Sequence, residues 1–195
     1  MGIGRGTLVA IEGAHGAGKT TLVLAVTACL KTRSVNAIAL PEVTRSSPFV
    51  EEAAIFGGRP YSLSSQLQLF GSQIAQENLL ARHHEVVVAD RSVYNPVAYG
   101  RFLLKTAKDH EVLDAMEELG RAYAAMYDGI FYLDANWLGS GTRDAYRPQD
   151  AEFRELANAS LIATLRRSRV KLFEVPSGLD LESMTKWVVA RIPIP

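Results

Sequence analysis

Gly-Ala-His-Gly-Ala-Gly-Lys-Thr occupies residues 13–20 and matches the pattern G-x-x-x-x-G-K-[ST] in full. In this pattern the glycines let backbone N–H groups converge on phosphates, the lysine reaches the terminal phosphates, and the final hydroxyl can ligate Mg²⁺. We therefore expect a nucleoside triphosphate to bind to Gly13, Ala14, His15, Gly16, Ala17, Gly18, Lys19, Thr20 and Thr21.

The segments on either side of this loop strengthen the interpretation. Residues 8–11 form a short unbroken apolar run of the kind found in buried strands, and residues 21–31 have the apolar periodicity of a helix. The N-terminal end of such a helix would face the phosphates. A glycine-rich turn that matched the pattern by accident would lack this strand-loop-helix context.

The chain alternates short apolar runs with helical patterns. Right-handed crossovers then place a helix after each strand, so this alternation predicts a parallel sheet covered on both faces. We predict a three-layer α/β fold of the P-loop NTPase type, with one domain over residues 1–195 and a five-stranded parallel sheet. The predicted strands are 8–11, 37–40, 86–89, 130–133 and 170–175, and the predicted helices are 19–31, 62–82, 97–106, 111–126, 151–167 and 181–190.

Residues 137–150 are rich in glycine, arginine and tyrosine and lack a clear period, which predicts a lid over the loop. Arg143 and Arg147 are four residues apart, so one helical turn would aim both at the same phosphates. Closed over a triphosphate, they would neutralise the transferred group and exclude water. The alternative is a solvated basic loop.

Composition limits the classes of partner. Lys plus Arg equals Asp plus Glu at 21 each among 195 residues, so no overall basic field is present to attract nucleic acid or an anionic membrane. Cys29 is the single cysteine, which excludes a disulfide within the chain, and no apolar run approaches the ~18 residues of a membrane span. We expect a cytoplasmic protein that binds neither nucleic acid nor membrane.

Acids and arginines follow the predicted strands, at the sheet edge where ligands bind in parallel α/β folds. Asp90 and Arg91 come directly after residues 86–89. A carboxylate there can hold Mg²⁺ or its water, as the Thr20 hydroxyl can. The adjacent guanidinium can bind a phosphate through two parallel hydrogen bonds. The alternative is a salt bridge at the strand end.

Several other residues are candidates for binding the acceptor, and each of them has an alternative role. Glu42 follows the second strand and could act as a base, orient the acceptor, or cap a turn. His15 could contact the acceptor or point to solvent. Phe70 and Gln73 lie on a predicted helix where a ring and an amide could bind a nucleobase, although an apolar helix stripe is more often core.

With these residues assembled, the chain resembles thymidylate kinases and, more widely, the P-loop nucleoside and nucleotide kinases. The resemblance implies a five-stranded parallel sheet, a lid, Mg²⁺-ATP as the phosphoryl donor and a possible homodimer. Together with the residues considered above, it leads us to expect catalytic roles for Lys19, Glu42, Asp90, Arg91, Arg143 and Arg147. We expect acceptor binding by His15, Glu42, Arg45, Phe70, Gln73, Arg91 and Tyr99. The segments that carry it are 9–13 with the loop, Pro41-Glu42, 69–76 with Phe70 at the stacking position, and 90–94 with Tyr99.

Two positions depart from the thymidylate kinase pattern. His15 stands where that family carries an acid, and Ile74 stands where its helix carries an arginine. The leading prediction is an ATP-dependent kinase of a nucleoside monophosphate, thymidylate kinase-like, and the two departures place dTMP itself in doubt as the acceptor. The alternatives are a kinase of a deoxynucleoside or of nicotinamide riboside, and a regulatory P-loop ATPase with a protein partner.

Overall fold

A sheet of five parallel strands organises the residues that the structure, a computed structural model, describes: 5–14, 16–49, 62–134 and 151–194. The strand order is β2-β3-β1-β4-β5, which confirms the predicted parallel sheet. β1 lies at its centre, so the loop after β1 emerges in the middle of the sheet edge. The strands are β1 (Thr7–Gly13), β2 (Ala37–Leu40), β3 (Val86–Asp90), β4 (Gly129–Leu133) and β5 (Leu172–Glu174).

Helices cover both faces of the sheet, as predicted. One buried apolar cluster takes Leu8 and Ala10 of β1 together with side chains of α2, α3, α4 and α5, and the other takes Val9 and Ile11 together with side chains of α1 and α6. None of the described helices is long and apolar enough to cross a membrane. The helices are α1 (Lys19–Thr32), α2 (Leu63–Ala81), α3 (Tyr94–Leu103), α4 (Ala107–Tyr123), α5 (Ala151–Arg167) and α6 (Leu181–Val189).

Two predicted helices are displaced along the chain. α3 begins at Tyr94 and not at residue 97, because Pro96 lies in the first turn, where a missing N–H costs no hydrogen bond. It ends at Leu103, and Thr106 belongs to the next helix. The Thr106 side chain accepts a hydrogen bond from the Asp109 N–H, so α4 begins at residue 107 and not at 111. Residues 124–126 continue α4 as a 3₁₀ turn.

The last strand is shorter than predicted. Residues 170–175 are apolar enough for a strand, but β5 spans only Leu172–Glu174. Arg169 before it has φ 63°, a left-handed conformation that turns the chain into the sheet. The predicted start of this strand was wrong because the turn before it contains neither glycine nor proline, the residues that mark most turns in a sequence.

Gly13, the last residue of β1, is required by its surroundings. Its φ is 145°, and an added Cβ would lie 2.1 Å from the Leu133 carbonyl oxygen on β4. We expect Gly13→Ala to lower the free energy of unfolding by about 2 kcal/mol or more, measured by urea denaturation. Gly71→Ala is the control: it lies within α2 with open space around it, and it should stabilise the protein by up to about 1 kcal/mol. Equal effects of the two changes would contradict this account.

Candidate functional site

The loop between β1 and α1 has the backbone of a phosphate-binding loop. Gly16 and Gly18 have φ values of 82° and 81°, in the left-handed region that glycine adopts without strain. The Ala17 N–H donates to the Ala14 carbonyl at 3.2 Å, which closes the loop on itself. Gly18 is the N-cap of α1, so free N–H groups of the first helical turn follow directly and can bind an anion.

Lys19 is buried at the first position of α1 and folds back over the loop. Its Nζ donates to the Ala14 carbonyl at 2.8 Å, and it forms no ion pair with any other described residue. Burial and the neighbouring Arg91 lower the pKa of Lys19 to about 8. The ammonium is therefore charged at neutral pH and is not neutralised by a carboxylate contact, as a phosphate ligand requires.

Thr20 and Asp90, both predicted from the sequence as Mg²⁺ ligands, meet between α1 and β3. The Thr20 hydroxyl donates to Asp90 Oδ2 at 2.5 Å, while the buried Oδ1 has no hydrogen-bond partner among the described residues. Burial raises the pKa of Asp90, which the Thr20 hydrogen bond opposes. The pair fits Mg²⁺, which commonly takes one or two carboxylates together with substrate phosphates. No described cluster of three or more His, Cys, Asp or Glu side chains offers an all-protein metal site.

Glu42, just after β2, lies between two arginines. Arg91 Nε donates to Glu42 Oε1 at 2.5 Å, and Arg45 Nε lies 3.7 Å from Glu42 Oε2. Burial raises the pKa of Glu42, but Arg91, Lys19 and Arg45 outweigh it and hold the pKa at about 2. Glu42 is thus an ionised carboxylate throughout the physiological pH range.

Arg91 lies in the turn that follows β3. The buried carboxylate of Glu12, on β1, holds this turn in place. Arg91 has φ 79°, an unusual value for a residue other than glycine, and its side chain is 9% exposed. Glu12, fully buried, accepts hydrogen bonds from the Ser92 N–H at 2.8 Å and the Ser92 hydroxyl at 2.6 Å. Burial raises the pKa of Glu12.

The predicted acceptor residues occupy different environments. Tyr99 is buried on α3 and near enough to Arg91 to favour its charged form. Phe70 is buried in the apolar cluster of α2, α3 and α4, so core packing accounts for its position. Gln73 uses its Nε2 group within the protein, donating to Glu77 Oε1 at 2.8 Å and to the Arg91 carbonyl at 3.2 Å. Because the Nε2 group is used within the protein, Gln73 would bind a base, as predicted, through its Oε1 atom.

Two polar residues on the same face of α2 were missed from the sequence. Gln66 and Glu77 are buried, and Gln66 Oε1 has no hydrogen-bond partner in the described part of the chain. They lie four residues from Phe70 and Gln73 respectively, so a polar residue recurs on an otherwise apolar helix face. This recurrence of polar residues is the sequence signal by which Gln66 and Glu77 could have been found.

Glu77 predicts a specific dependence of stability on pH. Burial raises its pKa to about 7, so the folded protein binds a proton that the unfolded chain releases near pH 4.5. The stability from this group is therefore complete below pH 4.5 and is lost as pH rises through 7. We expect the free energy of unfolding of Glu77→Gln relative to wild type to increase by about 2 kcal/mol from pH 5.5 to 8, at 1.36 kcal/mol per pH unit. Urea denaturation at both pH values measures it, and a constant difference would contradict it.

A cavity opens beyond the carboxyl ends of β4 and β5. Its lining is mostly apolar and comes from the strand ends, the loop that follows β5, and one side chain of α6. Residues following the strands of a parallel sheet commonly form ligand sites at this edge. The cavity is lined by Leu133, Asp134, Val175, Pro176, Ser177, Gly178 and Met184.

Several predicted site residues lie outside the described part of the chain. These are His15 of the loop, Arg143, Arg147 and the whole predicted lid at 137–150. Their predicted roles stay predictions. Among the described residues, the sheet edge brings together Lys19, Thr20, Glu42, Arg45, Asp90 and Arg91.

Comparison with known proteins agrees with the observed fold. The family model described as an AAA domain matches residues 8–182. A solved structure, deoxyadenosine kinase from M. mycoides with the products dCMP and a flexible dCDP bound, is similar with a TM-score of 0.69 and 15% sequence identity. The similarity covers 95% of this chain and 98% of that one, which establishes a shared fold. No curated protein matches the sequence.

Proposed function

The chain belongs to the AAA domain family, and on that premise we propose that it is a kinase that transfers the γ-phosphoryl group of ATP to a hydroxyl group of a nucleoside. The observation that carries this proposal is the ionised Glu42, held by Arg91 and Arg45 at the sheet edge that also bears Lys19 and Asp90. The similar fold of a deoxyadenosine kinase supports the choice of acceptor class.

The donor side of the site supports ATP binding. The backbone N–H groups at the start of α1 and the ammonium of Lys19 would bind the β- and γ-phosphates. The residues that follow β5 and line the cavity there lie at the same sheet edge and would contact the base of the donor. Thr20 and Asp90 would hold Mg²⁺, which supplies charge neutralisation on the phosphates when it is bound.

On the acceptor side, Glu42 would receive the hydrogen bond of the acceptor hydroxyl and aim its oxygen at the γ-phosphorus. The new bond joins that oxygen to phosphorus, the bond from phosphorus to the bridging oxygen breaks, and ADP leaves. The hydroxyl proton passes to Glu42 and then to solvent. A carboxylate whose pKa is about 2 is a weak base, so the proton moves late, when bonding to phosphorus has made the hydroxyl acidic.

Charge favours a neutral acceptor over a nucleoside monophosphate. Arg91 and Arg45 are the described arginines nearest to Glu42, and both pair with its carboxylate. An acceptor phosphate that bound Arg91 would have to displace Glu42 from it, and separating a pair this buried is costly. A hydroxyl group leaves the pair intact.

A nucleoside monophosphate is the second candidate acceptor. Arg45 is 46% exposed and lies 3.7 Å from Glu42, so it could turn toward a phosphate without breaking the Arg91 pair. This candidate also agrees with the resemblance to thymidylate kinases carried by Asp90 and Arg91. dTMP is a poor expectation because of His15 and Ile74.

A coupled ADP-release assay over nucleosides and nucleoside monophosphates tests the proposal. We expect at least one nucleoside to raise ADP release well above the background without acceptor. Stimulation only by monophosphates would replace the first candidate with the second. If no small molecule stimulates release but a bound protein does, the chain is a regulatory ATPase and the kinase proposal is wrong.

A further inference from the structure

The turn that carries Arg91 has a conformation that must be held from outside. Its φ of 79° lies in the left-handed region, which non-glycine residues rarely adopt. Because the Arg91 side chain donates to Glu42, any relaxation of this turn would move the guanidinium and the carboxylate together. The groups that hold the turn therefore influence the site without touching a substrate.

β1 holds one half of the turn. The Arg91 N–H donates to the Ile11 carbonyl at 3.1 Å, continuing the sheet, and the Ser92 N–H donates to Glu12 at 2.8 Å. These contacts leave the Arg91 carbonyl and the Val93 N–H to be satisfied from elsewhere.

Two side chains from other elements satisfy those remaining groups. Gln73 Nε2 on α2 donates to the Arg91 carbonyl at 3.2 Å, and the Val93 N–H donates to the Tyr127 hydroxyl at 3.0 Å. All these atoms are buried, so a lost hydrogen bond would not be replaced readily by water.

Gln73 and Tyr127 converge on one atom, Oε1 of Glu77. Gln73 Nε2 donates to it at 2.8 Å, and the Tyr127 hydroxyl donates to it at 2.7 Å. The first bond fixes which end of the Gln73 amide faces Arg91. The second directs the single hydroxyl proton of Tyr127 toward Glu77, so an oxygen lone pair is left to accept the Val93 N–H.

We propose that Glu77 is a positioning residue that orients Gln73 and Tyr127 and thereby holds Arg91 and its partner Glu42 in place for the acceptor. The effect on the acceptor rests on the proposed function, whereas the effect on Arg91 does not. Glu77 lies on α2 and bonds to the Gln73 and Tyr127 side chains, with Tyr123 close by. Its hydrogen bonds reach none of the described residues that are assigned to ATP or Mg²⁺.

Three variants separate positioning from general stability. Glu77→Gln keeps a carbonyl oxygen that can accept from both partners, Glu77→Leu removes the acceptor, and Tyr127→Phe removes only the hydroxyl. Tyr123→Phe is the matched control. The Tyr123 ring packs edge-on against Tyr127, and its hydroxyl accepts from Asn78 and also interacts with the Glu77 carboxyl, but no hydrogen bond within the described residues joins it to the turn. It therefore separates the loss of one Glu77 partner from the loss of the bond to the turn.

The first measurement needs no activity. Protein labelled with ¹⁵N-arginine should give a persistent Nε–H resonance for Arg91, protected by its bond to Glu42 and identified by its loss in Arg91→Lys. We expect the resonance to be unchanged in Glu77→Gln and Tyr123→Phe, and to be shifted or broadened in Tyr127→Phe and Glu77→Leu. If Glu77→Leu does not fold, Tyr127→Phe decides the outcome.

The second measurement uses steady-state kinetics with the acceptor found by the ADP-release assay. We expect Tyr127→Phe and Glu77→Leu to raise the acceptor KM by about 10-fold or more, with the ATP KM within about twofold of wild type and rescue in Glu77→Gln. Folded variants with the wild-type Arg91 resonance and acceptor KM would overturn the positioning role. If wild type phosphorylates nothing, the proposed function fails, and the resonance alone decides the role of Glu77.

Discussion

Replacing Lys19 with alanine is expected to lower kcat/KM for phosphoryl transfer by about 10³-fold or more. Lys19 is buried, its ammonium donates to the Ala14 carbonyl, and it forms no ion pair with the described carboxylates. Charge on the transferred phosphoryl group would therefore lose its nearest cation. In such transfers electrostatic stabilisation and positioning carry nearly all of the rate enhancement.

The matched control for this change is Lys31→Ala. Lys31 lies in the last turn of the same helix and is exposed, so its removal should leave kcat/KM within about twofold of wild type. Thermal unfolding of both variants checks that the fold is retained. A folded Lys19→Ala protein that keeps more than a third of wild-type kcat/KM would show that this loop does not serve phosphoryl transfer.

Glu42→Gln should lower kcat by about 10²-fold to 10³-fold while leaving ATP affinity unchanged. Glutamine keeps the size of the side chain and an oxygen that can accept from Arg91, so the change removes mainly the charge that receives the hydroxyl proton. Because the pKa of Glu42 is held at about 2, this group should contribute no acid limb to the pH-rate profile between pH 5 and 9.

Glu174→Gln is the control for the Glu42 variant. Glu174 ends β5, is exposed and pairs only loosely with Arg166 at 3.5 Å, so its neutralisation should not change turnover. ATP affinity is measured by calorimetry and kcat by ADP release. Turnover within threefold of wild type in Glu42→Gln would exclude an essential carboxylate and favour a nucleoside monophosphate as acceptor.

The fold was predictable because its signals are local. β2 was predicted at its observed bounds, and α1 to within one residue, since an apolar run and an apolar periodicity each lie within one short segment. The predicted bounds of helices and strands were wrong where the role of a residue depended on its position within the element. Pro96 reads as a helix start but lies inside the first turn of α3, and Arg169 turns the chain without glycine or proline.

The site was predictable only in part. Lys19, Glu42, Asp90 and Arg91 were expected at one sheet edge because parallel strands bring their carboxyl ends together. No comparable rule predicts which side chains form hydrogen bonds with each other across the fold. The bond from Tyr127 to Glu77 joins residues 50 apart in sequence, and it exists because α2 and the 3₁₀ turn after α4 pack behind the Arg91 turn.

The most direct test of the account is the fate of the terminal phosphate of [γ-³²P]ATP in the presence of wild-type protein, Mg²⁺ and the nucleoside that most stimulates ADP release. We predict that the label appears in a nucleoside monophosphate, in an amount equal to the ADP formed, and that Glu42→Gln suppresses the label and the ADP together. Label found only in inorganic phosphate would contradict the proposed phosphoryl transfer.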